Sequence, residues 1–334
     1  MRNLTLLSLC LALFLLPASY GRERLVVFGD SLSDIGNSFA LTEGVAPPGQ
    51  PLAPLGSPLR GDYGETFDPT GPSGPFLGRF TDGQNWVDYF PGIAERFHLD
   101  ISPVTAYLQD PNNDNATDFA VGGSTSGDLN VINAALPNPV LPSFPGQIST
   151  YIKSLGSKNA ADDLCVIWIG ANDFGAGIEP LETVANIKGQ IAKLSAVGAK
   201  NFFVITIPDL ALTPQVKALP GATILAATQF VVTTNVLLAV ELPRFAFAHQ
   251  ISIDLVDINA IFVPVVYQPA RFGFTNSTNF AYEPPNGPLL VEDPNNYVFW
   301  DDFHPTTNVH KLAAAFIFNN IFLSRAIRPF LSFR

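Results

Sequence analysis

Residues 24 to 37 read RLVVFGDSLSDIGN, and the reading of this stretch decides the fold. Four apolar residues run into Gly-Asp-Ser, and a polar cluster follows at once. Such a run predicts a buried strand that stops abruptly and hands its last residues to a turn. Ser31 then either caps the next helix or carries chemistry. Which of the two holds depends on whether the chain supplies a base, a partner for that base and an oxyanion site.

Similar runs recur at Leu25 to Phe28, Phe119 to Val121, Leu164 to Ile169, Phe202 to Ile207 and Ile251 to Ile258. Segments with helical spacing separate them: Trp86 to Phe97, Gln147 to Leu155, Leu181 to Val197, Ala222 to Leu242 and Val309 to Phe322. Strands alternating with helices predict a parallel sheet covered on both faces. About five strands are expected in one domain. Two stretches break the rhythm: residues 44 to 78, dense in Pro and Gly, and residues 262 to 298, expected to be irregular. Whether 44 to 78 forms a lid is open at this level. Residues 222 to 240 carry no charge and have the length of a membrane span, but polar residues interrupt them. A helix lying along the sheet explains them better.

Composition narrows the function. The 334 residues are 47% hydrophobic and only 14% charged, enough for a large core and unlike a disordered chain. An arginine, an apolar run from Leu4 to Leu16, Pro17 and small residues open the chain, which predicts a secretory signal peptide cut near Gly21. Lipidation at Cys10 fits less well, because Leu9 is bulky and the apolar run continues beyond it. Residues 22–334 would then form the mature domain, secreted to an extracellular or periplasmic compartment. Loss of Arg2 with the leader leaves 17 basic against 29 acidic residues, a net charge of −12 rather than −11. That field repels nucleic acid. Cys165, the remaining cysteine, lies in an apolar run and reads as a packed core thiol.

Ester hydrolysis by a serine needs a nucleophile, a base, a group that orients the base and donors for the oxyanion. His304 lies in FWDDFHPTT (299 to 307), three residues after Asp301, a spacing that lets one carboxylate reach the imidazole. His98, His249 and His310 read as structural. In VIWIGANDF (166 to 174) a buried strand ends at Gly170 and Asn172 emerges at the edge where parallel sheets bind ligands. Its neutral amide suits a developing oxyanion. In DFAVGGSTSGD (118 to 128), Gly123 lets a backbone N–H approach a substrate closely. Ser124 and Ser126 imitate a nucleophile elbow without its two flanking glycines and are rejected.

Taken in order, Gly-Asp-Ser-Leu, the glycine of VGGST, the asparagine of GAND and DDFHP resemble the four blocks of the GDSL (SGNH) hydrolases, over roughly residues 24 to 320. The resemblance implies a single hydrolase domain with a three-layer α/β/α, flavodoxin-like fold and a mostly parallel five-stranded sheet. It also implies that Ser31 is the nucleophile, His304 the base and Asp301 its orienting partner. The Ser31 N–H, the Gly123 N–H and the Asn172 side chain become the oxyanion donors. GRFTDGQNWVDYF (78 to 90) and IPDLALTP (207 to 214) look like the larger secreted members, which include phospholipases, lipases and acyltransferases. Asp118 departs from the asparagine that many relatives carry, and the cysteines near the last block of some relatives are absent.

The expected function is a secreted serine esterase, lipase- or phospholipase-like, with acyl transfer where a second alcohol outcompetes water. A glycan O-acetyl esterase and a non-catalytic binding protein on the same fold are the alternatives. No metal, cofactor or obligate protein partner is implied. A small-molecule or lipid ester is the expected partner, with transient contact with a lipid surface in the second case.

Overall fold

The computed structural model describes residues 24–43, 78–97, 104–108, 117–136, 140–282, 290–291 and 293–331. The expected leader, the candidate lid at 44–77 and His98 lie outside the described residues.

The sequence RLVVFG forms β1 (Arg24–Gly29), followed by α1 (Asn37–Glu43) and α2 (Trp86–Arg96). Next come α3 (Phe144–Leu155), β2 (Asp163–Trp168), α4 (Ala171–Ala176), α5 (Pro180–Ala196) and β3 (Asn201–Ile205). The chain continues through α6 (Gly221–His249), β4 (Ser252–Val256), α7 (Asn259–Tyr267), β5 (Asn276–Phe280), β6 (Tyr297–Phe299) and α8 (Thr307–Leu331). Strands β1 to β4 form one parallel sheet in the order β1-β2-β3-β4, with Val26 opposite Cys165, Cys165 opposite Phe202 and Phe202 opposite Ile253.

Alternate residues of each strand feed opposite cores, as a period of two requires. Leu25, Val27, Val166, Phe203 and Ile205 pack against Trp86 and Phe90 of α2 and Ile317 of α8. Val26, Phe28, Ile167, Phe202 and Val204 pack against Ile148 of α3, Ile187 and Ile191 of α5, and Leu238 of α6. Continuous hydrophobic runs are therefore the mark of strands buried on both faces. Cys165 is fully buried in the second layer, and burial pushes its thiol up, away from the thiolate.

The expected sheet of five strands is a sheet of four among the described residues. Residues 117–121 do run parallel to β1. Val27 N–H donates to the Thr117 carbonyl, Phe119 N–H to Val27 and Val121 N–H to Gly29. The ladder fails at Gly29, whose N–H is captured by Gln147 Oε1 at 3.0 Å while Gln147 Nε2 donates to the Gly29 carbonyl at 2.7 Å. One amide side chain from α3 thus breaks the strand and holds its end beside the loop that carries Ser31.

Helix α6 is longer than the expected Ala222 to Leu242 and continues through Pro243. That proline stands on an exposed position, where the carbonyl it leaves unbonded meets water. Among the described residues α6 alone is long and apolar enough to cross a membrane, by length and composition. Its Leu238 and Leu242 are nevertheless packed in the core against the sheet. The stretch 262 to 298, expected to be irregular, contains the end of α7 and both β5 and β6. Phe262, Val265 and Val266 give α7 a buried stripe at helical spacing, and Pro264 in its midst had concealed it.

Candidate active site

The loop that carries Ser31 is folded by its own carboxylates. Leu32 N–H donates to Asp30 Oδ1 at 3.1 Å, and Ser33 and Asp34 N–H both donate to the Asp30 carbonyl. Asp34 is the hub. It accepts Gly36 and Asn37 N–H on one oxygen, and on the other Ser38 and Gly122 N–H, the last at 2.8 Å. This fully buried side chain joins the turn after β1 to the glycine loop.

Ser31 Oγ lies 2.8 Å from His304 Nε2, and His304 Nδ1 lies 2.8 Å from Asp301 Oδ2. The other Asp301 oxygen accepts the backbone N–H groups of Phe303 and His304. Asp301 is 2% exposed. Burial works against its charge, but the facing His304 charge and these hydrogen bonds outweigh it and hold the carboxyl below its usual range. Burial likewise works against a charged His304. The Asp301 charge and hydrogen bond prevail, helped by Asp302 and Asp30, and raise the imidazole above its ordinary value. Asp302 points elsewhere: its carbonyl accepts Gln215 N–H at 2.7 Å and its carboxylate faces the Gln215 amide.

The loop of His304 is pinned from a distant part of the chain. Thr81 Oγ1 donates to the Pro305 carbonyl at 2.8 Å, and Thr307 N–H, at the start of α8, donates to Asp82. The rings of Phe80 and Phe303 each lie 5.4 Å from the imidazole.

Gly123 and Asn172 converge on the same edge of the sheet. Gly123 has φ +74°, and a Cβ there would meet Ile132 at 2.6 Å and Asn130 at 2.7 Å, so both backbone and space demand glycine. Asn172 sits in the first turn of α4, and its Nδ2 donates one hydrogen to the Ser124 carbonyl at 2.9 Å. The second hydrogen of that amide and the backbone N–H groups of Ser31 and Gly123 are three donors that have no protein acceptor among the described residues. Asp173 faces away. It accepts Ser126 N–H at 2.8 Å and the hydroxyls of Ser126 and Thr183.

Ser124 and Ser126 are occupied structurally. Ser124 Oγ donates to the Pro142 carbonyl and accepts from Gln147, and Ser126 bonds Asp173. Asp118 accepts Ile35 N–H at 3.0 Å on one oxygen and Ala120 N–H at 3.1 Å on the other. A carboxylate meets both donors, whereas an asparagine offers only one oxygen. Asp30, Asp34, Asp82 and Gln147 were not singled out from the sequence. Asp34 and Asp82 sit inside blocks that were, in DSLSD and FTDG, but their partners lie 88 and 225 positions away. Among the described residues no three His, Cys, Asp or Glu side chains group to hold a metal ion.

A serine, imidazole and carboxylate in one hydrogen-bonded line, beside N–H donors without a protein acceptor, is the arrangement that serine hydrolases use. The chain belongs to the GDSL-like lipase/acylhydrolase family, whose model matches residues 25–317. It is 25% identical to the thermolabile hemolysin of Vibrio parahaemolyticus over 87% of this chain and 62% of that protein, and so spans under two thirds of that relative. It is 22% identical to a phosphatidylcholine-sterol acyltransferase of Aeromonas hydrophila, over 88% of this chain and 90% of the relative. An acetylesterase of Thermothelomyces thermophilus is 25% identical, over 87% and 86%.

Proposed function

We propose that the chain is a secreted carboxylic ester hydrolase that works through an acyl-enzyme on Ser31 and acts on lipid esters. The observation that carries this reading is the 2.8 Å contact from Ser31 Oγ to His304 Nε2, continued at 2.8 Å to Asp301. Neutral His304 takes the Ser31 proton on Nε2 as Oγ attacks the ester carbonyl carbon. The carbonyl oxygen becomes an oxyanion facing the N–H groups of Ser31 and Gly123 and the Asn172 amide. The imidazolium, paired with Asp301, returns its proton to the departing alkoxide, and alcohol leaves the acyl-enzyme. Water then attacks under the same base and releases the acid. A second alcohol in place of water makes the reaction an acyl transfer.

The lipid assignment draws on the expected leader, the family and an apolar pocket lined by Leu32, Ala171, Phe303 and Pro305, chain neighbours of Ser31, Asn172 and His304. The acetylesterase relative favours a second reading, a short acyl group carried by a glycan. Hydrolysis of p-nitrophenyl acetate, butyrate and palmitate separates the two. Rates that rise with chain length support the lipid ester, and a preference for acetate supports the glycan ester. An absence of turnover on all three overturns the enzyme reading.

A further inference from the structure

The Gly123 N–H serves an oxyanion only if the peptide that carries it keeps one direction. Glycines on both sides, Gly122 and Gly123, leave that peptide unusually free to rotate. Its direction therefore depends on the hydrogen bonds at its ends. In a planar trans peptide the carbonyl and the following N–H point opposite ways, so whatever holds the Gly122 carbonyl also aims the Gly123 N–H. The holder is Asn130, eight positions after Gly122, whose Nδ2 donates to that carbonyl at 2.8 Å.

The Asn130 amide is itself fixed. Its second hydrogen goes to the Pro142 carbonyl at 3.1 Å, and its Oδ1 accepts Ile132 N–H at 3.0 Å. Carbonyls only accept and an N–H only donates, so a single orientation of this amide meets all three partners. The side chain is buried. The Pro142 carbonyl also accepts Ser124 Oγ, which in turn accepts Gln147 Nε2 of α3 at 2.9 Å, tying the loop to a rigid helix. On the near side, Gly122 N–H donates to Asp34 Oδ2 and Ser38 Oγ, each at 2.8 Å. Val131 N–H holds the Gly123 carbonyl at 2.9 Å, and Asn172 holds the Ser124 carbonyl. Of these contacts, the one from Asn130 grips the very peptide whose other end is the Gly123 N–H.

We propose that Asn130 is a positioning residue for ester hydrolysis: by holding the Gly122 carbonyl it aims the Gly123 N–H at the oxyanion. The inference rests on Ser31 as the nucleophile and on the oxyanion donors of the proposed mechanism. The test assays the wild type and three variants on p-nitrophenyl acetate and on its thionoester, in which sulfur replaces the carbonyl oxygen. Asn130→Ala removes the grip. Asn133→Ala is the control from the same loop, since the Asn133 amide exchanges two hydrogen bonds with the Leu141 backbone, at 2.8 and 3.0 Å. Asn130→Asp keeps the size and the acceptor for Ile132 but has no N–H to give, so it repeats the test at pH 8 should the alanine variant fold poorly.

Asn130→Ala should lower kcat by about 10- to 100-fold with KM within about twofold, because a donor is misaimed rather than deleted. Sulfur is a weak acceptor, so the wild type should prefer the ester over the thionoester, and both Asn130 variants should shrink that preference several-fold. Asn133→Ala should lower Tm yet keep kcat within about threefold and leave the ester preference as in the wild type. An unchanged kcat in both Asn130 variants, or a loss that falls on KM alone, would overturn the proposal. So would an equal loss in Asn133→Ala, or an ester-to-thionoester ratio that stays at the wild-type value, either of which makes Asn130 a folding residue only. Failure of the wild type itself on p-nitrophenyl acetate is a different outcome, which would remove the esterase reading.

Discussion

The Asp82 carboxylate accepts the backbone N–H of Thr307 at 2.6 Å, joining residues 225 positions apart. Thr307 opens α8, three residues after His304, so this bond and that from Thr81 to the Pro305 carbonyl fix the His304 loop from outside. Burial pushes Asp82 up to about 6. Asp82→Ala strips Thr307 of its acceptor and should cost about 1–3 kcal/mol of stability, with a fall in kcat. Asp82→Asn keeps an acceptor and removes a buried charge. A carboxyl raised in the folded state binds more protons folded than unfolded between about 4 and 6, so stability falls as pH rises through that window. Asp82→Asn should abolish that part of the fall, roughly 3 kcal/mol. Urea titrations of the wild type and Asp82→Asn at pH 4, 5, 6 and 7 read it directly. Parallel stability curves would show that Asp82 does not titrate in this range.

Asp301 and Asp302 are adjacent, but only Asp301 faces the imidazole. Asp301→Asn favours the wrong tautomer of His304 and should cost about 10⁴ in kcat, whereas Asp302→Asn should cost less than about tenfold. The rate should rise with pH through one ionisation lying above the ordinary histidine value, because Asp301 raises His304. The charged pair stabilises the fold below the unfolded histidine pKa, and that contribution is lost as pH rises through the folded value. Activity and this share of stability therefore run in opposite directions. Rate profiles from pH 5 to 9 for both mutants check the assignment, and a mild Asp301→Asn with a damaging Asp302→Asn would reverse it.

Asn172 gives one hydrogen to the Ser124 carbonyl and, in the proposed mechanism, the other to the oxyanion. Asn172→Ala should lower kcat by about 10²–10³ with little change in KM. Asp173→Asn acts differently, since Asp173 accepts from Ser126 and Thr183 inside the fold. Its expected signature is a lower Tm with a smaller loss of kcat. Equal kcat losses in the two variants would make this loop a folding element only.

Strands β1, β2 and β3 were legible because each is almost wholly apolar, as in LCVIW, and glycines mark where β1 and β2 stop. Ser31, Gly123, Asn172, Asp301 and His304 were singled out through the four blocks taken in order, and the structure brings Ser31, His304 and Asp301 into one hydrogen-bonded line. Long-range capture was not legible. Nothing local in FPGQIST says that Gln147 will intercept the Gly29 N–H and break a fifth strand. The Asp82–Thr307 bond is likewise a property of the folded chain, between residues 225 positions apart. Helix α7 was hidden by Pro264, whose missing donor argues against a helix unless packing of Phe262 and Val265 outweighs it.

The central claim is that Ser31 attacks the ester. Ser31→Ala should remain folded and lose roughly 10⁴-fold or more of kcat. The most direct measurement is mass spectrometry of the protein after reaction with a serine-directed phosphonate. The account predicts one adduct, on Ser31, absent from Ser31→Ala and reduced in His304→Ala. An adduct on Ser124 or Ser126, or one that persists in Ser31→Ala, would contradict it.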